Sequence, residues 1–131
     1  MSLIKEELVK HGSRSLIDLG SGNGKILFSI ASNIIYTTGY ENSLFLYLFS
    51  KMSKMVRKNG RYIDIKFGSL FNADLHNHDT IYIYGIPGMM QRTQTKIMKE
   101  AKEGTLVISN TFDFPNLEKL YERGNLNFYL V

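Results

Sequence analysis

The chain has 131 residues, 44% of them hydrophobic and 12% aromatic; that is one domain's length with enough apolar side chain to bury a core, which argues against disorder. Cysteine is absent, excluding disulfides, thiolate metal sites and a thiol nucleophile. The net charge of +4 favours acidic partners without marking a nucleic-acid binder.

The start, MSLIKEELVKHG, is charged and amphipathic and lacks the continuous apolar centre of a signal peptide. No apolar run approaches the ~20 residues of a membrane span, so a soluble, cytoplasmic domain over residues 1–131 is expected. Ser15–Leu19 is a short apolar run ending at Gly20 and predicts a first strand. Residues 25–32 predict a helix and residues 36–40 a second strand. Over residues 42–58 a helical wheel places Leu44, Phe45, Leu48, Phe49, Met52, Met55 and Val56 in one arc, with Lys51, Lys54, Arg57 and Lys58 opposite. A helix packed through that arc is predicted, stopped by Asn59-Gly60 in a left-handed conformation. Residues 61–67 alternate, with Ile63, Ile65 and Phe67 on one face and Tyr62, Asp64 and Lys66 on the other, the pattern of a half-exposed edge strand.

Residues 81–84 and 106–109 are nearly unbroken apolar runs, as expected of strands covered on both faces. Between them residues 87–102 predict a helix with Pro87 in its first turn, where the missing N–H is not needed. Residues 117–121 and 126–131 flank Glu122-Arg123-Gly124-Asn125 and predict an antiparallel hairpin. Repeated β-α units predict an α/β fold, a doubly wound, mostly parallel sheet closed by a C-terminal antiparallel hairpin.

The sharpest motif is Asp18-Leu19-Gly20-Ser21-Gly22-Asn23-Gly24, between the first strand and the first helix that follows it. Ligands of such sheets bind beyond the carboxyl ends of the strands, and glycines let the backbone turn sharply and a ligand approach closely. Glu41 follows the second strand, where an acid can accept hydrogen bonds from both ribose hydroxyls of a nucleoside. Two cofactor classes compete. A dinucleotide fingerprint, G-x-G-x-x-G, requires glycine at position 25, which is Lys25. The third glycine stands one residue earlier, at Gly24.

That G-x-G-x-G spacing, preceded by Asp18, resembles the first motif of class I S-adenosyl-L-methionine-dependent methyltransferases. The closing hairpin suits the antiparallel seventh strand of that Rossmann-like fold. Ile17-Asp18-Leu19-Gly20-Ser21-Gly22-Asn23-Gly24-Lys25 and Gly39-Tyr40-Glu41 are more narrowly similar to the small protein-lysine methyltransferases of archaea and mitochondria. The resemblance extends to the mitochondrial members that modify the ATP synthase c subunit. Ser69-Leu70-Phe71, Ile83-Tyr84-Gly85-Ile86-Pro87-Gly88-Met89-Met90 and Phe112-Asp113-Phe114-Pro115 extend it.

The resemblance implies a transferase that uses S-adenosyl-L-methionine, releases S-adenosyl-L-homocysteine and methylates an accessible lysine of a protein. It implies that Gly20, Ser21, Gly22 and Gly24 form the cofactor loop and that Asp18 supports it near the amino-acid end. Glu41 and Asn42 would hold the ribose, and Ser69 and Leu70, with Phe71 an alternative to Leu70, would take the adenine. In this sequence Asn23 stands where an aspartate is common, and Ser69 stands in place of the acid that usually contacts the adenine amino group. Tyr84 is the expected orienter of the amine, in a pocket with Pro87, Phe112 and Phe114.

The first strand begins after about fourteen residues, whereas relatives carry a longer preceding segment that helps cover the cofactor. A non-catalytic module that binds cofactor or partner is therefore one rival reading, and an RNA or small-molecule methyltransferase is the other. The basic run from Lys51 to Arg61 keeps nucleic acid as the weaker alternative partner, although aromatic residues suited to base stacking are sparse there. His76-Asn77-His78-Asp79 has metal-ligand chemistry but no distant third ligand and is read as a solvated loop. Met89-Met90 is read as core or groove packing.

Overall fold

The computed structural model describes residues 2–85 and 87–131; Ile86, part of the motif after the fourth strand, lies outside the described residues. The chain runs α1 (Ser2–Lys10), β1 (Ser15–Leu19), α2 (Lys25–Ile30), β2 (Tyr36–Glu41), α3 (Leu44–Met55), β3 (Ile63–Phe67), β4 (Thr80–Ile83), α4 (Pro87–Glu100), β5 (Leu106–Asn110), β6 (Lys119–Arg123) and β7 (Leu126–Leu130). The strands form one seven-stranded sheet of order β3-β2-β1-β4-β5-β7-β6. β1 to β5 pair in parallel, and β7 inserts antiparallel between β5 and β6. The order reverses between β1 and β4, and that switch point leaves a crevice beyond the strands' carboxyl ends.

Side-chain alternation along β1 separates two cores. Leu16 joins α1 and α2 through Ile4, Leu8, Leu27 and Ile30. Ile17 and Leu19 face the other way, onto α4 through Met90 and Ile97. The central strands β4 and β5 are buried on both faces, as their unbroken apolar runs require. The hairpin turn is Gly124-Asn125, shorter than the sequence suggested, with Gly124 at φ 58°.

α3 departs from expectation. Its packed face is Ser43, Leu46, Tyr47, Ser50, Ser53 and Lys54, with Ser50 fully buried. The apolar arc from Leu44 to Val56 points outward, each of its residues between 51% and 86% exposed. The end of the helix also differs. Asn59 has φ −94° and donates its side-chain amide to the carbonyls of Phe28 and Ala31 at 2.8 and 3.0 Å. Gly60 is required because a β-carbon would lie 2.4 Å from the Lys54 carbonyl oxygen, not because its φ is positive. On edge strand β3, Ile63 and Ile65 are buried, whereas Phe67 is 54% exposed and leans on Tyr47.

α1 is pinned by a buried acid. Glu7 is 1% exposed and accepts a hydrogen bond from the Tyr121 hydroxyl, and Arg123 lies 3.8 Å from its carboxylate. Burial, then the bond to Glu7, pushes the Tyr121 phenol up to about 12. Glu7→Ala takes the carboxylate acceptor from the Tyr121 hydroxyl, while Arg123 keeps Glu6 at 3.4 Å, so urea unfolding should show a loss of about 1–3 kcal/mol.

Candidate functional site

Beyond β1 the chain turns through residues 20–24. Gly20, Gly22 and Gly24 have φ of 105°, 58° and 85°, a region in which a β-carbon strains the backbone. Gly24 also precedes α2, and a β-carbon there would lie 2.8 Å from the Phe28 ring. The N–H groups of Gly20 and Ser21 both donate to the Tyr40 carbonyl at 2.9 Å, tying the loop to β2. This approach explains Gly39, where a β-carbon would come 2.6 Å from Leu27 and 2.7 Å from Ser21. Asn23 accepts the Lys25 N–H at 3.1 Å, a contact an aspartate could equally make.

Glu41 ends β2 and is 7% exposed. Its Oε1 accepts the Gly22 N–H and its Oε2 the Ser43 N–H, each at 2.8 Å. One carboxylate thus holds the glycine loop to the start of α3. Each oxygen still has a free lone pair, so the group retains acceptor capacity for a pair of hydroxyls.

Beneath the loop lies Asp18, 2% exposed, whose Oδ1 has no hydrogen-bond partner among the described residues; the buried Ser21 hydroxyl has none either. Burial, and after it the charge of Glu41, pushes the Asp18 carboxyl up to about 8. Such groups are costly in a finished core. Together under a glycine loop, they suit a ligand that brings a donor or a cation.

Beside the loop is a cleft of about 180 Å³, smaller than the ~300–1,000 Å³ of a complete ligand pocket and sized for a planar ring. It is lined from β1 by Leu19 and Gly20, from the end of β2 by Tyr40 and Asn42, from the turn after β3 by Gly68, Ser69, Leu70 and Phe71, and from beyond β4 by Tyr84, Gly85 and Met89. Ser69 accepts the Phe71 N–H at 3.2 Å, capping the short turn Leu70–Asn72 and leaving its hydroxyl proton to donate. Tyr84 is 63% exposed at the cleft. The two methionines divide their tasks: Met90 is core and Met89 lines the cleft.

The structure therefore gathers Gly20, Asn42, Ser69, Leu70 and Tyr84 around one opening, with Asp18, Ser21, Gly22, Gly24 and Glu41 building the adjoining loop. It does not bring the expected substrate residues there. Pro87 is exposed in the first turn of α4, and Phe112 is partly buried on the α4-side core. Phe114 is 4% exposed, with its ring edge-on to Tyr129 at 5.3 Å. The Tyr129 hydroxyl accepts the Phe114 N–H and donates to Asp113, at 3.2 and 3.1 Å, so this aromatic segment clasps the hairpin. Leu19, Tyr40 and Gly85, which stand in the quoted motifs without an assigned role, line the cleft together with Gly68; each lies at or just beyond the carboxyl end of a strand, the positional signal that marks them.

Within the histidine segment Asp79 makes structural contacts, while the buried His78 Nδ1 has no hydrogen-bond partner among the described residues. Asp79 accepts the Lys102 ammonium and the Arg14 N–H, each at 2.8 Å. Ligand atoms of Asp74, His76 and Glu100 lie within 4.8 Å of one another, but Lys96 holds one Glu100 oxygen at 2.7 Å and the Leu75 N–H holds the other at 3.2 Å.

The sheet order with its antiparallel β7 defines a class I methyltransferase fold. An RNA methyltransferase from Salinibacter ruber, solved with S-adenosyl-L-homocysteine, shares that fold at a TM-score of 0.82 and 20% identity, over 98% of this chain and 89% of its own. The O-methyltransferase from Bacillus cereus aligns at 0.71 with 14% identity, over 83% of this chain and 54% of its own.

Within that class the chain belongs to the ANTKMT methyltransferase domain family, which matches residues 18–120. The lysine N-methyltransferases of the ATP synthase c subunit from Rattus norvegicus and Homo sapiens are 28% and 29% identical, over 84% and 78% of this chain. The chain spans 51% and 44% of the length of those relatives. No helix among the described residues is long and apolar enough to cross a membrane.

Proposed function

We propose that residues 1–131 form a single domain that transfers a methyl group from S-adenosyl-L-methionine to a lysine side chain of a protein. The observation that carries this reading is the pairing of Glu41 with the glycine loop. A buried carboxylate with both oxygens on backbone N–H groups, and acceptor capacity to spare, lies beside a ring-sized cleft. The unpartnered Asp18 and Ser21 atoms fit the polar, cationic end of the same cofactor. The names of the rat and human relatives support a protein lysine as acceptor.

The cofactor supplies a methyl group already activated by its sulfonium, and becomes S-adenosyl-L-homocysteine. Glu41 and Asn42 hold the ribose, while Ser69, Leu70 and Phe71 receive the adenine. The backbone of residues 20–24 lets the amino-acid portion lie close over Asp18. The chain's remaining task is positional: to align the acceptor and exclude water. A lysine amine must also lose its proton, at a cost of about 4–5 kcal/mol at pH 7 from its ordinary pKa of ~10.4. Desolvation lowers that cost, and Tyr84 at the cleft mouth orients the amine.

The test is labelling of a cell extract with methyl-tritiated S-adenosyl-L-methionine, using wild type and Glu41→Ala. Wild type should leave nuclease-resistant label that hydrolysis releases as methyl-lysine, and the variant should leave none. Protease-resistant label on RNA overturns the acceptor. No label from a protein that binds the cofactor overturns the transferase reading in favour of a non-catalytic module.

A further inference from the structure

α3 carries its apolar residues on the wrong side for a core helix. Leu44, Phe45, Leu48, Phe49, Met52, Met55 and Val56 are each more than half exposed, whereas the packed face is Ser43, Leu46, Tyr47, Ser50, Ser53 and Lys54. Contiguous exposed apolar surface of this kind marks an interaction site. Its surroundings are basic. Lys51, three residues after Leu48 and four before Met55, stands at the edge of the arc and not opposite it. Arg57, Lys58 and Arg61 follow the end of the helix. All four are exposed, and no acid occurs between Asn42 and Tyr62. Arg57 stacks on Phe28 at 4.2 Å and Arg61 on Tyr62 at 5.0 Å, which draws their stems along the protein surface.

We propose that this face of α3 docks on an anionic phospholipid surface, with the apolar arc in the acyl boundary and the flanking cations among the headgroups. The helix has 12 residues, about 18 Å, too short for the ~30 Å hydrocarbon core, so it lies in the interface instead of crossing. The charge pattern decides among occupants. A second copy would bring another Lys51, Arg57, Lys58 and Arg61 against the first, and like charges repel across an interface. An anionic bilayer meets both the apolar arc and the basic rim, and long cationic side chains reach the headgroups from a buried stem. The inference is independent of the transferase reading. If both hold, the cofactor cleft lies near the headgroups, because α3 begins directly after Glu41, Asn42 and Ser43.

Vesicle flotation tests it, with phosphatidylcholine alone and with phosphatidylcholine containing roughly a quarter phosphatidylserine. Wild type should partition at least tenfold more strongly to the anionic vesicles and be released as salt rises from about 0.1 to 0.5 M. Leu48→Gln/Met52→Gln, at the centre of the exposed arc, preserves helix propensity and should lose binding while its thermal unfolding stays that of wild type. Lys51→Glu/Lys58→Glu should lose the preference for anionic vesicles. Equal partition to both vesicles, or to neither, overturns the proposal. So does a concentration-dependent dimer in sedimentation equilibrium that Leu48→Gln/Met52→Gln abolishes, which would assign the face to a second copy. Capture of RNA, without vesicles, by the same basic residues would assign it to nucleic acid.

Discussion

Glu41→Ala is expected to weaken S-adenosyl-L-methionine binding by about 100-fold or more, measured by calorimetric titration. Two losses act together. The proposed acceptor of the ribose hydroxyls disappears, and charge-assisted hydrogen bonds of that kind contribute about 1.5–3 kcal/mol each. The N–H groups of Gly22 and Ser43, now held at 2.8 Å by its two oxygens, also lose their partner. The glycine loop and the start of α3 are then no longer fixed to each other. Glu41→Gln should fall between wild type and alanine: its one carbonyl oxygen can accept, but its NH₂ group faces an N–H donor. NAD serves as the control and should give no heat with any form. Unchanged affinity in a folded Glu41→Ala protein would reduce Glu41 to a structural clamp and remove the main support for the proposed cofactor site.

The part of the fold that could be read from the sequence is the part set by local pattern. Unbroken apolar runs predicted buried strands at 81–84 and 106–109, and β4 and β5 are buried, although Tyr84 falls outside β4 and is exposed. Asp18 to Gly24 predicted a tight turn because glycines admit positive φ, and all three glycines adopt it. What failed was information about neighbours. A helical wheel shows that two faces differ, not which of them meets protein. α3 packs on β2 and β3 at one edge of the sheet, and small side chains such as Ser50 serve that approach, leaving the apolar arc outside.

The same limit explains the aromatic segment after β5. Residues just beyond a strand's carboxyl end belong near the crevice by default, so Phe112 and Phe114 were expected at the acceptor pocket. Their placement is decided by Tyr129, on a strand paired antiparallel to β5, whose hydroxyl captures residues 113 and 114. Gly39 and Gly60 carry a related lesson. Each stands where another segment approaches too closely for a β-carbon, and nothing in the flanking residues announces that approach.

Asp18→Asn should stabilise the protein at alkaline pH while damaging its cofactor site, and the two effects have separable readouts. The Asp18 carboxyl is pushed up to about 8 from an ordinary 3.8, chiefly by burial. Between those values the folded protein keeps a proton that the unfolded chain releases. Stability therefore falls as pH rises through that window, by at most about 1.4 kcal/mol per pH unit, and levels off above the folded value. Asparagine cannot ionise, so its contribution is flat. Melting temperatures of the two proteins should converge toward pH 4, with the variant progressively the more stable up to pH 8. Binding should move the other way. A cationic ligand over Asp18 favours the ionised carboxylate, so wild-type affinity for S-adenosyl-L-methionine should rise with pH up to about 8, by no more than roughly tenfold per unit. The variant should bind more weakly and without that slope. Parallel melting profiles would mean that Asp18 ionises in the fold as readily as in the unfolded chain, and equal binding slopes would mean that no cation meets it. The Ser21 hydroxyl, also buried without a partner, does not titrate in this range, so the pH dependence isolates the carboxylate. Under the proposed function, a fold that keeps such a group beneath its glycine loop sacrifices stability at the place where the cationic end of the cofactor would lie, as binding sites do and finished cores do not.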